Sequence, residues 1–286
     1  MENETISTLY KGKVEVRFLG PTPDKPNRHM YYVGGERVTG VTTYLNIIDK
    51  SAALVGWAVD LMRDYLLDIK GPIMQEHIFT GSTLHSVRKQ TAADLGSKIH
   101  DWCERYIKHK LKVKGVEAPE MPDEKEVQNG VSAFLDWEKS HKVKFRSSER
   151  TVYSKKHGYI GTMDIEADVD EILCLVDIKS SNGLYNPVRA QTAAYVEADQ
   201  EESGRKYQGR WALRVSKETE REYDARMAKK AANKERAGKK AYDAKPYQVF
   251  EARFFDKGSQ KSDFEAFLAA KALYEWNSET DFFKNP

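Results

Sequence analysis

Hydrophobic and polar positions change period several times along the chain, and each change marks an element. Val14–Leu19 and His29–Val33 read as short strands, separated by the proline-rich stretch through Gly20, Pro21, Thr22, Pro23 and Pro26. Gly34-Gly35 predicts a hairpin turn into Glu36–Val41. Helical spacing follows over Thr42–Asp49, and again from Ser51 as N-cap through Leu67. There Leu54, Trp57, Ala58, Leu61 and Tyr65 share a stripe, and Gly71-Pro72 ends it. A third helix is predicted over Thr83–Leu111, with Leu95, Ile99, Trp102, Tyr106 and Ile107 as its apolar stripe and His100 and Glu104 one turn apart at the margin. Lys114–Asp123 has no periodicity and reads as a surface loop. Asp123–His141 returns to helical spacing, with Val127, Val131, Phe134 and Trp137 as its buried face.

The second half switches to strand period. Val143–Ser154 is predicted as a strand that carries Glu149, and Gly158–Lys179 as a hairpin. Its apolar alternation breaks at the acidic turn Asp168-Val169-Asp170-Glu171 and resumes in the dense run Ile172–Val176. Asp177 and Lys179 interrupt that run two residues apart, so they project from one face, with Asp164 placed to lie beside them on the partner strand. After the loop from Ser180 to Gly183, Pro187 begins a helix in which Gln191 and Tyr195 share a face. Strands over Gly209–Val215 and Tyr247–Phe255 bracket a charged excursion from Lys217 to Lys245, and a last helix over Ser262–Trp276 presents an aromatic face to the sheet.

Composition narrows the function classes only a little. The 286 residues are 40% hydrophobic, enough for a sizeable core, and 31% charged, yet 46 basic and 44 acidic residues nearly cancel. Any binding to nucleic acid must therefore come from a local patch. Cys103 and Cys174 are the two cysteines; this argues against a disulfide framework and cannot supply a four-cysteine zinc or iron-sulfur cluster, and a reducing cytoplasm is the expected setting. No apolar run reaches membrane-spanning length, so no membrane partner is expected, and the first residues lack the layout of a secretory signal.

Two carboxylates and an ammonium converging at a strand end suit a divalent cation, because hard cations take carboxylate, carbonyl and water oxygens. The plainer alternative is a surface ion pair, which contributes little but does not explain charges interrupting a buried strand. Spacing alone leaves His100 as a structural residue or a ligand, Glu149 as a solvated or a site acid, and Tyr195 and Gln191 as core and surface residues. Between Arg226 and Lys240, seven bases (Arg226, Lys229, Lys230, Lys234, Arg236, Lys239 and Lys240) face one acid, Glu235. All but Lys239 fall within an arc of roughly 160° on one helix. The arm is then either a phosphate-binding patch, with Arg226, Lys229, Lys230 and Arg236 as its contacts, or a solvated excursion.

The ordered motifs GSKIHDWCE (Gly96–Glu104), GTMD, VDIKSS and QTAAY resemble the PD-(D/E)XK nuclease superfamily, in the branch holding the RecB nuclease domain, the mitochondrial genome maintenance exonuclease and related phage exonucleases. The similarity runs through His100, Glu149, Asp164, Asp177, Lys179, Gln191 and Tyr195 over about a third of the chain. RVTGVTTYL and the following helix resemble the N-terminal region of the same exonucleases.

The resemblance implies an α/β fold with a restriction-endonuclease-like core, a central mixed sheet flanked by helices and an N-terminal helical decoration. One nuclease domain spans 1–286, with strands and helices over 1–82, the catalytic core over 83–215, the charged helical excursion over 217–245 and a terminal strand and helix over 247–286. The implied activity is metal-dependent hydrolysis of DNA, exonucleolytic on single-stranded or end-processed linear DNA. Mg²⁺ or Mn²⁺ is held by Asp164, Asp177 and the Ile178 carbonyl with His100 completing or flanking the sphere, while Glu149, Lys179, Gln191 and Tyr195 serve the chemistry. A single-strand-binding or recombination protein is an expected partner. A sequence- or structure-specific endonuclease and a non-catalytic nucleic-acid-binding module are the alternatives.

Overall fold

A computed structural model describes residues 4–25, 28–236, 238 and 245–279. The chain opens with a four-stranded antiparallel sheet, β1 (Glu4–Leu9), β2 (Val14–Leu19), β3 (Met30–Val33) and β4 (Glu36–Val38), paired in chain order. β1 lies outside the strands expected from sequence, and the N-terminal part is thus a small sheet before it is a helical decoration. Short α1 (Val41–Leu45) and longer α2 (Ser51–Leu67) follow. α3 (Gln75–Lys110) is 36 residues long and starts a full two turns before the expected Thr83. Its first half lies against α2, where Gly81 lets the helices approach: a Cβ there would sit 3.1 Å from the Met62 side chain and 3.3 Å from the Tyr65 ring.

α4 (Lys125–Ser140) leads into the main sheet of β5 (Val143–Ser154), β6 (Tyr159–Val169), β7 (Ile172–Lys179), β8 (Gly209–Val215) and β9 (Phe250–Asp256), with α5 (Pro187–Ser203) between β7 and β8 and α6 (Glu220–Arg236) between β8 and β9. The sheet is mixed: β7 and β8 are parallel, joined by the α5 crossover, and the other neighbours are antiparallel. α7 (Gln260–Glu279) closes the described chain.

Helices cover both faces. On one, Ile99, Trp102 and Ile107 of α3 and Phe134 and Trp137 of α4 pack on Phe145, Ile165, Val176, Ile178 and Leu213. On the other, Tyr44 of α1, Ala194 and Tyr195 of α5 and Phe267 of α7 pack on Val152, Tyr159, Met163 and Leu175. The aromatic face of α7 docks mainly on α5 and α1 and meets the sheet where Phe267 packs edge-on against Tyr159, 4.7 Å between ring centres. Met163 and Ile165 are two residues apart on β6 yet belong to opposite cores. A regular strand would put both on one face, so β6 rotates about Asp164. Among the described residues, no helix is long and apolar enough to cross a membrane.

Candidate metal centre

The site forms where the sheet comes apart. β6 and β7 are laddered from Val169↔Ile172 to Ile165↔Val176, and the pairing stops there, one residue short of Asp164 and Asp177. In place of a ladder bond, the Ile178 N–H donates to Asp164 Oδ2 at 2.7 Å. The N–H and C=O of a strand residue leave by the same edge, so the Ile178 carbonyl also points into the gap.

On the far side of β6, Ser148↔Ile165 and Arg150↔Met163 bracket Glu149 opposite Asp164. Glu149 has φ +48°, in the left-handed region, a conformation that costs a non-glycine residue about 1–3 kcal/mol and persists where neighbours over-determine it. They do so here. Ser148 Oγ donates to the Asp164 carbonyl at 3.1 Å, and Arg150 on the other side pairs with the buried Asp199 of α5. The kink aims the Glu149 carboxylate toward Asp164.

α3 supplies the third group. Ile99, Trp102 and Cys103 bury the helix and leave His100 at the rim of the packed stripe. Gly96, one turn earlier, lets α3 lie against the end of β7, since a Cβ at this position would come within 2.7 Å of Ser180 Oγ. His100 Nδ1 then stands 3.7 Å from Asp164 Oδ2 and 3.9 Å from Glu149 Oε1. One potential ligand atom from each of His100, Glu149 and Asp164 lies within 4.8 Å of the others, a spacing a single cation can bridge. Asp177 is outside this group. It lies at the floor of the site, 0% exposed, with Oδ2 2.8 Å from Lys179 Nζ and Oδ1 3.3 Å from the Gln191 amide. The ammonium contact is an ion pair without hydrogen-bond alignment, so among the described residues Oδ2 is a buried oxygen with no aligned donor.

Gln191 is held in turn, donating to Tyr195 Oη at 3.2 Å. The buried Tyr195 ring needs Gly161 beneath it, where a Cβ would fall 2.4 Å from Tyr195 Cε1. Gly161→Ala is expected to cost about 1–3 kcal/mol through overpacking, read by denaturant unfolding, and to weaken the chain from Tyr195 through Gln191 to Asp177. Sequence spacing left Gln191 as a surface residue, and the family resemblance made it a site residue; it contacts the buried acid.

Burial raises the Asp164 and Asp177 carboxyls above the usual carboxylate range, with Lys179 and His100 opposing the rise in both. Burial works against the charged forms of His100 and Lys179, but the neighbouring acids outweigh it. Asp164 and Glu149 push His100 up to about 9, and Asp177 and Asp164 hold Lys179 above the ordinary lysine value. At neutral pH both are therefore cationic, countering three clustered acids.

The arm is less open than its sequence suggests. Arg226 pairs with Glu218 through Nε at 2.9 Å, and Lys229 reaches Asp68 just beyond α2 at 2.6 Å. Lys230, Lys234 and Arg236 also lie on α6, whereas Lys239 and Lys240 fall outside the described residues. These two ion pairs are at the surface, where such pairs are worth little and exchange readily for a phosphate. Compared with family models and with curated proteins, the chain matches none.

Proposed function

We propose that the chain is a metal-dependent DNA exonuclease with a PD-(D/E)XK core of the RecB-like and phage exonuclease type, acting on single-stranded or end-processed linear DNA in replication, recombination or repair. The observation that carries the reading is the joining of one imidazole and two carboxylates within 4.8 Å, at a strand divergence that also holds a buried aspartate paired to a lysine. The mixed oxygen and nitrogen donor set of His100, Glu149 and Asp164 fits a divalent ion. The histidine favours Mn²⁺ beside Mg²⁺. His100, Glu149 and Asp164 would hold the ion, with Asp177 and the Ile178 carbonyl bordering it.

When bound, the ion would polarise the phosphate and lower the pKa of water. The remaining work falls to the protein. The Ile178 N–H fixes the rotamer of Asp164, and Gln191, steadied by Tyr195, fixes Asp177. Asp177 holds the Lys179 ammonium at the mouth of the site, where it can donate to a phosphate oxygen as charge develops or orient the attacking water. The neighbouring acids favour the charged form of Lys179, which suits it to meet a phosphate oxygen. Cys103 and Cys174 are both buried free thiols, which suits a reducing cytoplasm.

End-labelled single- and double-stranded linear DNA and covalently closed circles, digested side by side with Mg²⁺, Mn²⁺ or EDTA, test this reading. Linear DNA should shorten progressively and closed circles should resist; rapid nicking of circles would mark an endonuclease instead. The arm has its own test. Neutral residues at Arg226, Lys229, Lys230 and Arg236 should weaken binding at moderate salt and flatten the salt dependence, because each phosphate contact releases counterions. Turnover on saturating substrate should survive. An unchanged salt slope would make the arm a solvated excursion.

A further inference from the structure

We infer that Phe18, His29 and Tyr31 of the N-terminal sheet form a seat for an unpaired nucleobase beside the metal centre, so that this sheet helps determine how a strand enters. The inference rests on the nuclease reading and adds a substrate-positioning surface to it. The three rings form one cluster: Phe18 and His29 meet edge to face at 4.7 Å, Phe18 and Tyr31 lie 4.9 Å apart, and His29 and Tyr31 lie 5.2 Å apart at 77°. Tyr31 is buried against Leu9, Val16 and Ile160 and anchors the cluster to β6. Phe18 is half-buried, and His29, just ahead of β3, is exposed. His29 is not part of the buried core beneath, so its ring lies exposed at the edge of the aromatic cluster.

A chain of polar contacts directs that edge toward the site. His29 Nε2 lies 3.0 Å from Tyr31 Oη, which lies 3.0 Å from Thr162 Oγ1. Thr162 is two residues before Asp164 on β6, about 7 Å along a strand. The Glu149 charge also acts on the Tyr31 hydroxyl, adding to burial in raising its pKa. Two contacts of 3.0 Å and one step of about 7 Å along β6 thus connect the exposed ring to Asp164, one of the groups that would hold the ion. Aromatic faces accept any base, so the seat provides position without a sequence preference.

The test uses single-stranded oligonucleotides carrying 2-aminopurine at the 5′ or the 3′ terminal nucleotide, bound to the full chain with Ca²⁺ in place of the catalytic metal. His29→Ala alters an exposed side chain, and Tyr31→Phe removes only the hydroxyl that ties the cluster to Thr162. The unsubstituted protein should change the fluorescence of one of the two terminal labels. His29→Ala should abolish that change and weaken binding about tenfold, as for one lost stacking contact. Tyr31→Phe should raise the KM for cleavage and leave kcat nearly unchanged. Equal fluorescence change and affinity in His29→Ala would overturn the seat, as would absence of oligonucleotide binding by the unsubstituted protein. Cleavage of labelled DNA by the same preparations with Mg²⁺ decides the nuclease reading separately.

Discussion

Lys179→Ala is expected to reduce strand cleavage by at least about 10²–10³-fold, the loss typical of removing one preorganised donor to a developing anion, while divalent-ion affinity rises. The two effects have one origin. The ammonium is no metal ligand, and its charge sits beside the acids at 2.8 Å from Asp177 Oδ2, so its removal makes the cluster more attractive to a cation but leaves the phosphate without its partner. Asp177→Asn should also abolish cleavage but with weaker ion binding, and it keeps an acceptor for the Gln191 amide. From sequence, both side chains would face an open, solvent-filled site and be replaceable without effect on the fold. Burial of Asp177 corrects that expectation: each substitution removes its partner's nearest counter-charge, leaving only Asp164 beside Lys179 or His100 beside Asp177, and should lower the melting temperature. Lys179 can still reach water, and Asp177, raised by burial to about 6, can take up a proton when its ammonium is lost, so neither variant should unfold. Metal titration by calorimetry, with a melting curve for each variant, separates these effects.

His100→Ala should produce the second large effect, a loss of activity of about 10²-fold or more, since even changes to groups that merely support metal ligands cost 10–100-fold. Excess Mn²⁺ should restore part of it. In the metal-free protein the imidazolium stands between Glu149 and Asp164, at 3.9 and 3.7 Å, and without it two carboxylates confront each other. The variant in EDTA should therefore melt below the unsubstituted protein in EDTA. A divalent ion should widen the gap, because a ligand stabilises more the protein that binds it more tightly, and binding to the folded state alone adds about 2.7 kcal/mol at a hundredfold excess over Kd. A purely structural His100 would give the same melting deficit with and without metal, and an unaltered metal preference.

The sequence made the hairpin, its acidic turn and the buried β7 strand legible because period and turn residues are local signals, and the structure has them at Tyr159–Val169 and Ile172–Lys179. Gln191 and Tyr195 were legible as a pair for the same reason. The boundaries that shifted depend on distant packing. The first turns of α3 lack a strong apolar stripe and pack on α2 at Gly81, against Met62 and Tyr65, and β1 is defined by its pairing with β2 across a turn containing Tyr10 and Lys11 at positive φ. The left-handed kink at Glu149 and the rotation of β6 at Asp164 leave no trace in periodicity. Both decide that Glu149 joins His100 and Asp164 while Asp177 stays with Lys179. Tyr31 and His29 lie more than a hundred residues from Thr162 in sequence, so only the tertiary fold associates them with the site.

The most direct test of the central claim is cleavage of end-labelled single-stranded DNA by EDTA-stripped protein as Mn²⁺ is returned stepwise, with Asp164→Ala run in parallel. No cleavage is expected before Mn²⁺, then a saturable rise in activity as the ion fills the site of His100, Glu149 and Asp164, and none at any concentration in Asp164→Ala. Cleavage that persists in EDTA, or an Asp164→Ala variant with the same Mn²⁺ response as the unsubstituted protein, would contradict that expectation.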